Sequence, residues 1–142
     1  MQKIFETTLP NNYAVCIHHN CKQADTCLHQ LAYRLLVDKE NFMRLINPTR
    51  CTKEASCPYY RNSQPVTFAR GFTGFKKQLS MEQYQKFMNI RTALLGRNVY
   101  FKQRKGAVVL SPEEQNDIKE TLHQLGVCTE VTFDNYEEAP RW

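Results

Sequence analysis

Residues 80–126 read SMEQYQKFMNIRTALLGRNVYFKQRKGAVVLSPEEQNDIKETLHQLG, and the punctuation of this stretch decides the fold. Ser80-Met81-Glu82-Gln83 is a capping-box pattern, in which a serine hydroxyl and a glutamine side chain satisfy the first free amides of a helix. The helix it opens carries Tyr84, Phe87, Met88, Leu94 and Leu95 on one face and stops at Gly96. Asn98–Gln103 and Ala107–Leu110 then read as two strands of a hairpin turning at Arg104-Lys105-Gly106. Ser111-Pro112-Glu113-Glu114 is the strongest local signal. It supplies an N-cap serine, a proline at the first helical position and a glutamate at the third. Ile118, Leu122 and Leu125 follow at helical spacing, and Gly126 sits at the C′ position.

Downstream, Val127–Phe133 alternates as a strand, and Asp134–Trp142 reads as an acidic, frayed tail. Upstream, Val66–Phe68 is strand-like, and Phe72, Phe75 and Leu79 predict a short helix. Thr49–Gln64 reads as a long loop, which is unusual unless something pins it. Phe42–Ile46 is a short apolar run stopped by Asn47-Pro48. A further helix is expected from an Asp25 N-cap to near Asp38, bearing Leu28, Leu31, Ala32, Leu35 and Leu36, while residues 1–15 look irregular. These elements predict an α+β fold with three or four helices and a small, mostly antiparallel sheet containing the 98–110 hairpin. The expected organisation is one domain, 1–142. It comprises a cysteine-rich segment (1–65), a helix–hairpin–helix portion (66–133) and an acidic tail (134–142).

A chain of 142 residues is long enough to bury a core without staples. No stretch reaches the roughly 18 apolar residues of a membrane helix, and the N-terminus has no apolar leader pattern. The expectation is therefore a cytoplasmic protein with reduced thiols and no membrane partner. Its net charge of +5 is unevenly spread. Between Pro58 and Ser111 ten basic residues face Glu82 alone, a net +9, whereas Pro112 onward sums to −6. Such asymmetry points to a polyanionic partner, or to an acidic end that neutralises a basic middle within the fold.

Cys16, Cys21, Cys27 and Cys57 stand as C-x4-C-x5-C-x29-C, with His18, His19 and His29 interleaved. Zinc takes four thiolate or imidazole ligands in a tetrahedron, so three cysteines within twelve residues plus one from the long loop make a candidate structural zinc site. His18 is the expected substitute ligand. Cys51 and Cys128 have no evident partner and are read as non-ligands. The spacing differs from the paired C-x2-C of zinc ribbons, which leaves buried free thiols, disulfides and an iron–sulfur cluster as alternatives.

No nucleophile elbow, P-loop, dinucleotide fingerprint or H-E-x-x-H is present, so no catalytic residue and no small-molecule substrate are expected. The acids of residues 113–120 form a charged stripe, normally a solvated helix face. The leading reading is a non-catalytic interaction or structural module with an unidentified protein partner. The alternative is a nucleic-acid-binding regulator resembling a helix-turn-helix with a wing, using Lys86, Arg91, Arg97, Tyr100, Lys102, Arg104 and Lys105. On that reading Gln83, Gln85 and Asn89 reach base edges, and Tyr100, Lys102 and Arg104 share one strand face.

The segments Cys16 to Leu28, Cys57-Pro58-Tyr59-Tyr60-Arg61, Ala69-Arg70-Gly71-Phe72, Arg104-Lys105-Gly106 and Leu110-Ser111-Pro112-Glu113-Glu114-Gln115 together resemble an uncharacterised family of small proteins from Bacteroides-type gut bacteria, a domain of unknown function. The likeness covers about Cys16 to Gly126. It implies a bacterial cytoplasmic setting and carries no activity, ligand or site residue with it.

Overall fold

The computed structural model describes residues 2–54 and 56–142. Among them run α1 (Gln2–Thr8), α2 (Leu28–Leu36), β1 (Val66–Arg70), α3 (Phe75–Gln78), α4 (Met81–Leu95), α5 (Arg97–Arg104), α6 (Pro112–Gln124) and β2 (Asn135–Ala139). The arrangement is α+β, with β1 and β2 paired as a two-stranded antiparallel sheet. The described residues hold six helices, more than the three or four expected, because the sequence signals predict neither α1 nor α5. The chain divides into two compact units, Met1–Val66 with Ala139–Trp142, and Thr67–Glu138.

The unit Thr67–Glu138 follows its local signals closely. Ser80 Oγ accepts from the Gln83 amide at 3.1 Å, and Gln83 Oε1 accepts from the Ser80 amide at 3.1 Å. The second box closes likewise, with 3.2 Å from the Glu114 amide to Ser111 Oγ and 2.8 Å from the Ser111 amide to Glu114 Oε2. These bonds start α4 and α6 where the sequence places them. The core is aromatic. Phe72 is fully buried, with its ring centroid 5.1 Å from Phe75, 5.8 Å from Phe87 and 5.7 Å from Tyr100. Leu110, Ile118, Leu122, Val131 and Phe133 complete it. On α4, Phe87 and Arg91 are buried, whereas Leu94, expected on the apolar face, is 69% exposed.

The expected 98–110 hairpin is absent. Residues 97–104 form α5, and residue 110 makes only an isolated antiparallel bridge with Ala69. The physical reason is the position of Tyr100. Helical geometry puts Tyr100 and Gln103 on one buried face against Phe72 and Phe87, where alternation would have splayed the aromatic out with Lys102 and Arg104. Gly106, read as a hairpin turn, instead follows the helix end with φ of 81°, after a basic last turn containing Lys102 and Arg104. Residues 127–133, read as a strand, form none, and the expected frayed tail carries β2 instead.

Gly71 joins these pieces. Its carbonyl accepts from the Asp134 amide at 2.9 Å, and the next amide, of Phe72, donates to Arg104 O at 3.0 Å. With φ of 75° and a notional Cβ only 2.7 Å from Asp134 Oδ2, the position admits glycine alone. Asp134 in turn accepts from Thr73 N at 2.9 Å, Thr73 Oγ1 at 2.7 Å and Gly74 N at 3.1 Å.

The other unit has little regular structure. Phe5, Leu28 and Leu35 form its buried cluster, with Leu9, Leu31 and Trp142 packed against it. The irregular start is in part α1, and α2 is shorter than expected. Its N-cap is Cys27, without a side-chain cap bond, while Asp25 pairs with Arg34 at 3.3 Å. The 42–46 run contributes a single parallel bridge, Val15 with Leu45.

Two expectations follow. Phe87→Ala should cost roughly 3–5 kcal/mol in urea unfolding, as buried aromatic truncations do, whereas Met81→Ala, 89% exposed, should cost little. Burial alone would raise Asp134, but the Thr73 hydroxyl, the Thr73 and Gly74 amides and Arg104 more than offset it and hold the carboxyl below its usual range. Because the folded-state value is depressed, the stabilisation is present above about pH 4 and is lost as pH falls through the folded value. Thermal unfolding of Asp134→Asn should therefore depend less on pH below about 4 than that of the parent.

Candidate functional site

In the unit Met1–Val66 with Ala139–Trp142, backbone pairing brings distant segments together. Val15 N donates to Arg44 O at 2.8 Å, and Ile46 N to Val15 O at 2.9 Å. Cys16 N donates to His29 O at 3.1 Å, Leu28 N to Arg61 O at 2.8 Å, and Ser63 N to Thr26 O at 2.8 Å. Gln30 Nε2 adds a 2.6 Å bond to Cys16 O. The loop 49–64 is thereby tied at its end to the start of α2. Near its middle, Lys22 Nζ meets Glu54 Oε2 at 2.9 Å.

The convergence gathers sulfur. Cys16, Cys21, Cys27, Cys51 and Cys57 all line one void of about 20 Å³, with His18 and His29. A space of that size holds one small ion or one water. All six cysteines are free thiols. Cys16 Sγ and Cys51 Sγ lie 4.0 Å apart. The Gln23 amide donates to Cys21 Sγ at 3.4 Å. Burial pushes the Cys51 thiol up to about 11, helped by Cys16, Cys57 and Cys21. Crowded thiols resist ionisation because each thiolate repels the next. Among the described residues, no three His, Cys, Asp or Glu side chains are arranged as they stand to hold a metal ion.

Of the four cysteines singled out by spacing, all line the void. Cys51, expected to be a non-ligand, has its Sγ 4.0 Å from that of Cys16. Its mirrored relation was available: Cys51 and Cys57 repeat the five-residue gap of Cys21 and Cys27. His18 Nε2 bonds Pro48 O at 2.9 Å, and His29 Nδ1 bonds Ala14 O at 2.7 Å, so one ring nitrogen of each is already engaged.

The candidate nucleic-acid set is dispersed by the helix at 97–104. Tyr100 is fully buried and Arg91 is 4% exposed, so neither is presented to a strand. Lys86 is exposed and pairs with Glu82 at 2.9 Å, and Arg97 lies 5.4 Å from the Phe101 ring centre. Lys102 and Lys105 are exposed and Arg104 is half-buried, but as helix-end residues rather than a strand face. Gln83 is spent on the α4 cap, and Gln85 bonds Asn89 at 3.1 Å.

These exposures order the thiols by reactivity. Alkylation of the native protein should modify exposed Cys128 first and buried Cys16 last, and denaturation should level the rates. Mass spectrometry of time-sampled peptides reads the order directly.

Among the described residues no helix is long and apolar enough to cross a membrane. No curated protein and no solved structure matches the chain. A family model does match, over residues 1–142, and the chain thus belongs to the Family of unknown function (DUF6078).

Proposed function

We propose that this protein is a non-catalytic interaction module whose first unit is fastened by one structural zinc ion on thiolates. The observation that carries the reading is the void lined by five cysteines. The 4.0 Å between Cys16 Sγ and Cys51 Sγ is close to the edge of a tetrahedral thiolate site, about 3.8 Å for zinc–sulfur bonds of about 2.3 Å. We assign Cys21 and Cys57 as the other donors, since both line the same void and lie close enough to Cys51 to raise its thiol. Cys27 neighbours Tyr13 instead and stands with His18 as a replacement. Bringing all four sulfurs onto one point takes side-chain rotation at Cys21 and Cys57, whose thiols are only half-buried.

The chemistry favours a cation there. Thiols crowded around one point become ligands once a divalent charge stabilises their ionised form. The unit also needs a fastener. Its buried apolar cluster is small and its size falls near the roughly 70–80 residues below which one core rarely suffices. Four protein ligands close the coordination sphere and leave no position for a reactive water, so the ion would hold structure and drive no reaction.

Elemental analysis of protein purified without chelator should give near-stoichiometric zinc. Cys51→Ser and Cys57→Ser should lose it, and Cys128→Ser, in the other unit, should keep it. Chelation should speed proteolysis of residues 49–64. Metal-free protein whose six thiols all titrate, with unfolding indifferent to chelator, would overturn the reading. So would a Cys16–Cys51 disulfide in freshly purified protein.

A further inference from the structure

Beside the thiol void, the same unit carries an open cleft of about 1010 Å³, at the upper end of the range for ligand sites. Its lining includes three arginines, Arg44, Arg61 and Arg141, and no aspartate or glutamate. Among the described residues neither Arg44 nor Arg61 has a carboxylate partner. Both are set by the backbone pairings already described, since Arg44 O accepts from Val15 and Arg61 O from Leu28. Guanidinium groups held in a concave surface without counter-charges attract an anion and offer it paired N–H donors.

The remaining walls are aromatic and amide. Tyr13, Tyr59, Tyr60 and Trp142 line the cleft with Asn and Gln side chains. The aromatics are pre-organised: Tyr13 stacks on His29 at 4.9 Å and 14°, and Trp142 meets Tyr13 edge-on at 5.1 Å. Tyr60 is fixed by a 3.0 Å bond between its hydroxyl and Thr26 Oγ1, and Trp142 Nε1 donates to Thr8 Oγ1 at 2.9 Å. Tyr59 is 40% exposed. A solvent-accessible aromatic beside arginines without carboxylate partners suits a ligand that is planar at one point and anionic at another.

We infer that this cleft binds nucleotide units, with phosphate on Arg44 and Arg61 and the base against Tyr59 and its aromatic neighbours. Base stacking on aromatics with arginine at the backbone is how single strands are held without sequence preference, and the open shape admits either a free nucleotide or a strand. The amide side chains can pair with base edges. The cleft belongs to a different unit from the basic helix ends at residues 97–105. None of the proposed zinc ligands lines the cleft, although Tyr59, Tyr60 and Arg61 come from the loop that the zinc would fasten.

Trp142 is the one tryptophan of the chain, so its emission reports the cleft without a label. Titration of the full chain with AMP, a single-stranded RNA octamer and a DNA octamer should change that emission saturably, and more salt should weaken the response. Arg44→Ala with Arg61→Ala should weaken binding by about tenfold or more, and Tyr59→Ala by a similar factor, with thermal unfolding unchanged. Tighter binding of an octamer than of AMP identifies the source as a strand, and equal binding identifies a free nucleotide. Three results would overturn the inference: no saturable change with any of the three, tripolyphosphate binding as well as they do, or full binding by the double-arginine variant. Metal content, measured on the same preparations, separates this outcome from that of the zinc proposal.

Discussion

A buried peptide group must find a partner, and in the first unit that requirement organises everything else. Val15 is fully buried in a segment with no strand neighbour of its own. Its amide donates to Arg44 O and its carbonyl accepts from the Ile46 amide, while the next amide donates to His29 O. Those bonds fix Cys16 beside α2, to whose start the bonds Leu28–Arg61 and Ser63–Thr26 tie the 49–64 loop. The sulfur void and the arginine cleft adjoin this pairing, Cys16 lining the first and Ala14 the second. Both share Ile46, His29, Tyr59 and Tyr60 as their partition.

The second unit rests on a different principle. Two capping boxes fix where α4 and α6 begin, and an aromatic cluster fixes how α3, α4 and α5 pack. Helix starts were legible because a cap is a local event, read within four residues. Helix α5 was not legible by periodicity, since Val99-Tyr100-Phe101 fits a strand as well as a helix. The deciding contact, Tyr100 on Phe72, is separated by nearly thirty residues. The basic last turn before Gly106 was the one local clue that favoured the helix.

The candidate site was legible in its chemistry and not in its membership. Clustered cysteines announced a thiol site, and Cys16, Cys21, Cys27 and Cys57 do line one void. Cys51 joins them, and the gap it repeats with Cys57 is a signal of pairing that does not say which thiols share one point. The cleft was invisible for the same reason. Its arginines come from residues 44, 61 and 141, and their approach depends on the pairings of Val15 and Leu28. The net +9 of the middle segment points to residues 97–105, whereas the cleft takes from that segment Arg61 alone among its arginines.

The Thr8–Trp142 bond spans 134 residues. The first unit is interrupted in sequence, and the whole of the second is inserted before its last four residues. During synthesis, at roughly 5–20 residues per second, Thr67–Glu138 is complete while the first unit still lacks Trp142. Phe5 waits through that interval for the ring that packs on it at 6.1 Å. The order of assembly is thus opposite to the order of translation: the segment made first is the one finished last.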